Sequence, residues 1–241
     1  MPGAGLKATA RTEDTAYLLH AVPYRETSLV VDLFTRGNGR VAAIAKGAKR
    51  RNSALRAMLL QFQPLTVAYM GRNELRNLVG AEWTGGQPAP QGDALICAFY
   101  MNELLVRLLP REDPHPALFD GYAAALTALT AGAPIDETLR RFEWLLLREA
   151  GYAPDLEQDA ANAPILPERS YLWQAGGGFV AAEPGSEAVV AGATLRDIAV
   201  GRFDSGISRM QAKYLTRAIL AHHLDGYVLN TRQILIDLQK L

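Results

Sequence analysis

Hydrophobic and polar positions follow two different rhythms along the chain. Up to Trp83, short apolar runs of strand length are broken by turn residues. Ala16–Val22 (AYLLHAV) and Ser28–Phe34 (SLVVDLF) read as strands, with the turn-forming PYRET between them. Gly37-Asn38-Gly39 predicts a hairpin turn into a third strand, Arg40–Lys46. Ser53–Gln61 (SALRAMLLQ) has helical composition, with Ser53 placed to cap its start. Pro64–Met70 and Leu75–Trp83 supply two more strands around Gly71-Arg72-Asn73. Three strands, a short helical link and two strands predict a five-stranded OB-fold β barrel.

The rhythm then becomes helical. Gly85 to Pro90 (GGQPAP) is the best break, giving domains at 1–84 and 85–241. Ala94–Leu109 is apolar all round at its start, as a buried helix is, and Pro110 stops it. Leu118–Ala131 and Pro134–Ala150 are further helices; the latter carries an apolar stripe of Leu139, Phe142, Leu146 and Ala150, with Gly151 as its C-terminal stop. Residues 152–190 are irregular, apart from a β hairpin from Tyr171 around Gly176-Gly177-Gly178. Thr194–Val200, Ser208–Leu224 and Thr231–Leu241 complete the helices. The expected class is α+β: an N-terminal OB-fold barrel, then a mainly α-helical domain with a small hairpin.

Charge changes the picture. The 241 residues carry 25 Lys+Arg and 25 Asp+Glu, a net charge of zero. Up to Trp83, however, 12 cations face 6 carboxylates, and the remainder is acidic by the same margin. Such a split gives the two regions different partners. Lys46, Lys49, Arg50 and Arg51 crowd into six positions at the end of the third strand, and Gly47 lets the loop turn. On a barrel that commonly binds single strands, this loop points to nucleic-acid phosphate. Arg25, Arg40 and Arg56 are further phosphate candidates on neighbouring segments. Tyr24, Phe34 and Tyr69 are candidates to stack on bases. No base-reading motif is visible, so little sequence preference is expected.

Catalytic signals are missing. The chain has no GxxxxGK[ST] loop, no HExxH and no GxSxG. His222 and His223 are adjacent on a helix, and adjacent positions diverge by about 100°, too far apart to serve one metal as an i,i+4 pair does. The single cysteine, Cys97, lies in an apolar run and reads as a small buried hydrophobe. No secretory leader and no apolar run of spanning length is seen, so a cytoplasmic location is expected. The pattern is that of a binding protein, not an enzyme. Three readings stay open: a DNA-binding protein, an OB-fold RNA-binding protein, and a protein-only adaptor.

The stretches YRETSLVVDLFTRGNGRVAAIAKGAKR, LLQFQPLTVAY, FYMNELLVRLL and LRRFEWLLLREAGY resemble, in order and spacing, the bacterial RecO family of recombination mediators. The similarity covers essentially the whole chain and is strongest through Tyr152. It implies binding of single- and double-stranded DNA, annealing of complementary strands without ATP, and, with RecR, loading of RecA onto DNA coated by single-strand-binding protein (SSB). It also implies a site for the acidic-hydrophobic SSB C-terminal tail. That tail ends in a carboxylate beside an apolar side chain, so its site needs a cation bordering an apolar groove. Arg140, with Arg141 and Leu139 beside it, is the candidate; the alternative is that these arginines only pair with Glu137 or Glu143. Some members carry a four-cysteine zinc site, which one cysteine excludes here, so no metal or other cofactor is expected.

Overall fold

A computed structural model describes residues 11–86, 88–203, 206–231 and 233–234. The chain divides into two compact units, residues 1–91 with 102–120 and residues 92–101 with 121–241.

The first unit is built on a closed barrel in the order β1-β2-β3-β5-β4. Its strands are β1 (Arg11–Tyr24), β2 (Ser28–Thr35), β3 (Gly39–Ala45), β4 (Leu65–Met70) and β5 (Leu75–Trp83), with the short helix α1 (Ala54–Met58) between β3 and β4. β1 is long enough to serve two neighbours. Its first half pairs with β4, from Arg11 opposite Met70 to Ala16 opposite Leu65. Its second half pairs with β2, with a register shift between Leu18 and His20. Such a bulge bends a strand and lets it turn a barrel corner. β3 runs parallel to β5 and closes the ring. The OB-fold expectation therefore holds. The core takes one face of each strand, including Leu18, Val31, Leu33, Val41, Val67 and Leu78.

Three local expectations change. β1 begins five residues earlier than its apolar run, because Arg11–Thr15 gain their place by pairing with β4 rather than by burial. α1 is shorter than Ser53–Gln61, and the Ser53 side chain makes no capping hydrogen bond. Phe34 and Tyr69 have no exposed surface, so they pack inside and are not available to bases; Phe34 lies against Phe119, ring centroids 5.4 Å apart.

The other helices are α2 (Asp93–Leu108), α3 (Pro116–Thr130), α4 (Ile135–Glu149), α5 (Gly192–Ala199) and α6 (Gly206–His223). The anticipated hairpin is β6 (Ser170–Gln174) paired with β7 (Gly178–Ala181), and a two-residue strand, β8 (Val190–Ala191), adds to the other edge of β6. Inside the second unit α4 and α5 each pack on α6. The anticipated helix Thr231–Leu241 lies mostly outside the described residues. None of the described helices is long and apolar enough to cross a membrane.

Candidate nucleic-acid interface and carboxylate pocket

The cationic loop after β3 is anchored at its centre and free at its edges. Ala48 is buried in the barrel core. The Lys49 backbone N–H donates to the Thr27 carbonyl (2.9 Å) and the Arg50 N–H to the Gly47 carbonyl (3.0 Å). Gly47 has φ +71°, the left-handed region that a glycine enters without penalty. Around that fixed frame Lys46, Lys49, Arg50 and Arg51 are all exposed, and so are Arg25 and Arg56. Among the described residues none of these six is in an ion pair.

A recess gathers part of this set. Arg25, Lys46 and Arg50 line it together with Tyr24, Glu26 and Asn77. Arg25 stacks over the Tyr24 ring, 5.2 Å from its centroid. Lys49, Arg51 and Arg56 lie outside the recess lining. Asn77 carries no local signal in the sequence; the β3–β5 pairing brings it opposite Ile44. An open, cationic, partly aromatic surface of this kind can neutralise phosphate and accept an unpaired base.

Arg40 belongs elsewhere, which corrects its place among the phosphate candidates. It is only 8% exposed. Its Nε donates to Asp32 Oδ1 (3.2 Å), and its Nη1 donates to the carbonyls of Leu105 (3.4 Å), Val106 and Leu109 (2.8 Å). Burial pushes the Asp32 carboxyl above its ordinary range, and Arg40 and Arg111 pull it back. This guanidinium caps the end of α2, where the helix dipole is negative.

The second unit holds a half-open pocket of about 240 Å³. Leu139, Arg140 and Glu143 of α4, Arg217 and Leu220 of α6, and Tyr100 of α2 contribute to its wall. Arg140 is 3% exposed, and its Nη2 donates to Glu143 Oε1 (2.5 Å). Tyr100 also donates to Oε1 (2.8 Å), and the Thr216 hydroxyl donates to Oε2 (3.0 Å). Burial raises the Glu143 carboxyl above its ordinary range; Arg140 and the two hydroxyls oppose that rise. The pairing of Arg140 with Glu143, one of the two alternatives open in the sequence, is thus present. It leaves Nε and Nη1 of Arg140 buried with no hydrogen-bond partner. Buried guanidinium N–H groups without partners are costly, and an incoming carboxylate that reached one of them would reduce that cost.

Of the residues expected at this site, Leu139 and Arg140 are in the wall and Arg141 is not. Arg141 points outward, donates to Glu137 Oε1 (2.8 Å) and stacks over Phe203. Tyr100, Thr216 and Arg217 went unseen in the sequence, since they come from helices far apart along the chain. Among the described residues no group of three or more metal-ligating side chains is placed to hold an ion.

Comparison with known proteins agrees with both halves. The family described as Recombination protein O N terminal matches residues 10–87, and Recombination protein O C terminal matches residues 89–233. The chain is 48% identical to DNA repair protein RecO of Burkholderia pseudomallei (strain 1710b), over 95% of this chain and 84% of the relative. It is equally identical to DNA repair protein RecO of Aromatoleum aromaticum, over 95% and 97%. It is 45% identical to that of Ralstonia nicotianae, over 95% and 86%. An OB-type barrel, a helical unit, and near half identity along nearly the whole length place the chain in the RecO family of DNA repair proteins.

Proposed function

We propose that this chain is a non-catalytic recombination mediator that binds single- and double-stranded DNA, anneals complementary strands and, with RecR, loads RecA onto SSB-coated DNA at the nucleoid. The observation that carries the DNA reading is the exposed, unpaired cation set around Gly47. Two single strands repel each other through their phosphates, and a protein that neutralises both without gripping bases lowers that repulsion. No bond needs to be made or broken by the protein. The SSB tail enters the α4–α6 pocket: its terminal carboxylate meets one of the unsatisfied N–H groups of Arg140, Nε or Nη1, and its last apolar side chain lies against Leu139 and Leu220.

Fluorescence anisotropy with labelled single-stranded DNA across a salt series tests the reading. Four phosphate contacts give a slope of log affinity against log salt of about −3 on a single strand. Changing Lys46, Lys49, Arg50 and Arg51 to Glu should abolish that slope and most of the affinity. Equal binding by both proteins would leave the loop idle, and tighter binding of RNA than DNA in competition would favour an RNA-binding protein. For the pocket, an SSB tail peptide with a free carboxylate should outbind its C-terminal amide, and Arg140→Gln should erase the difference.

A further inference from the structure

We infer that the recess beside Gly47 receives one unpaired guanine of the bound strand, and that Glu26 and Asn77 discriminate it from the other bases. The inference rests on the DNA reading above and names the base that the recess prefers.

The β1–β2 turn, from Tyr24 to Ser28, forms one side of the recess, and Lys46, Gly47 and Arg50 of the loop after β3 form the other. The bond from the Lys49 backbone N–H to the Thr27 carbonyl (2.9 Å) ties the two sides together. Ile44 and Asn77, partners in the β3–β5 pairing, complete the lining. The volume, about 720 Å³, falls within the range of about 300–1,000 Å³ that small-molecule sites span, so a single nucleotide can be held. Arg25 lies over the Tyr24 ring, and flat guanidinium and aromatic groups are what a splayed-out base stacks on.

Glu26 is the anomaly of this surface. A recess built only to neutralise phosphate gains nothing from a carboxylate, which repels the same phosphates. Yet Glu26 lines the recess with Arg25, Lys46 and Arg50 and, among the described residues, is in no ion pair. Asn77 is half-buried, and its side-chain amide has no hydrogen-bond partner among the described residues. An ionised carboxylate only accepts hydrogen bonds, and it takes two parallel donors best. Guanine alone of the four DNA bases has two adjacent donors on its Watson–Crick edge, N1–H and the N2 amino group. Thymine N3–H lies between two carbonyls, and adenine and cytosine each offer one amino group beside a ring acceptor. Guanine bound to Glu26 still has O6, to which the Asn77 amide can donate. That edge is open only in an unpaired base, and cytosine of the complementary strand needs the same edge. Pairing therefore releases the base from the recess, which suits strand annealing.

Anisotropy on the full chain compares a labelled oligothymidylate of about twelve nucleotides with the same strand carrying one central guanine. The guanine strand should bind about tenfold tighter, with the same salt slope, since no phosphate contact is added. Hypoxanthine in place of that guanine lacks the amino group and should lose most of the gain. Glu26→Gln should abolish the gain, and Asn77→Ala should reduce it. Both variants should still bind oligothymidylate, so the effect is not one of folding; Glu26→Gln should bind it at least as tightly as the natural protein, because a repelling charge is gone. Equal affinity for the two strands, or a gain unchanged in either variant, overturns the guanine site and leaves the phosphate loop standing. Failure of both strands to bind overturns the DNA reading and the site together. Displacement of the guanine strand by guanosine monophosphate as readily as by unlabelled guanine strand also overturns the inference, because the recess then holds a free nucleotide.

Discussion

Arg40 Nη1 donates to the carbonyl oxygen of Leu109 at 2.8 Å, so the second residue of β3 closes the end of α2. The same side chain balances Asp32, which is itself largely buried. Removing the guanidinium leaves a buried carboxylate and several helix-end carbonyls without a partner. Arg40→Ala should cost about 3–5 kcal/mol in urea unfolding. Arg40→Lys should recover little of it, because an ammonium cannot fork between Asp32 and the carbonyls. The salt slope of DNA binding by the folded protein should not change. A variant of native stability with lost DNA affinity would return Arg40 to the phosphate surface.

Gly39 and Gly47 bracket β3, both at positive φ, and substitution should separate them sharply. At Gly47 (φ +71°) an added Cβ meets only the Arg50 side chain at ordinary contact distance. Gly47→Ala should cost about 1–2 kcal/mol, from the backbone conformation alone. At Gly39 (φ +66°) the added Cβ would sit 2.0 Å from the Asp113 carbonyl oxygen. Backbone must move there, so Gly39→Ala should be the more damaging by at least 2 kcal/mol. Equal melting shifts for the two variants would contradict the close approach.

The five strands of the barrel were legible because each strand's apolar run is bounded by turn chemistry, as at Gly37-Asn38-Gly39. What stayed hidden depends on partners distant in the chain. Arg11–Thr15 lie outside the first apolar run, Ala16–Val22, yet β4 makes them strand. Arg40 looks like any surface cation, since residue type says nothing of the Asp32 and Leu109 that enclose it. At the pocket, Arg140 and Glu143 are three apart on one helix and visible as a pair. Tyr100 and Thr216, which fix Glu143, have no such local signature. The exposed cations of the 46–51 loop were legible because a dense charge run has few ways to be buried.

Cys97 offers a simple probe of the second unit. It is 6% exposed, and burial pushes its thiol up to about 11. At pH 8 about one molecule in a thousand then carries the thiolate that reacts with disulfide reagents. The folded protein should resist such a reagent for hours, and denaturant should release one thiol per chain. Rapid labelling of the native protein would show the pocket wall opening around Cys97.

Glu143 gives the pocket a pH signature whose sign is fixed by burial. Below its ordinary value of 4.5 the carboxyl is neutral in both folded and unfolded chains. Above that value the unfolded chain ionises first, while the folded protein keeps the proton until its raised value is reached. In that window the folded state binds more protons, so this group's contribution to stability falls as pH rises. Glu143→Gln lacks the titration and retains an acceptor for Tyr100. Urea unfolding of both proteins from pH 4 upward should show the natural protein losing ground to the variant by up to about 1.4 kcal/mol per pH unit, then running parallel to it. The opposite trend would mean that the attraction of Arg140 outweighs burial and holds the Glu143 carboxyl below 4.5. A strongly ionised Glu143 would then occupy the charge of Arg140 more fully, and the pocket would favour an incoming carboxylate less.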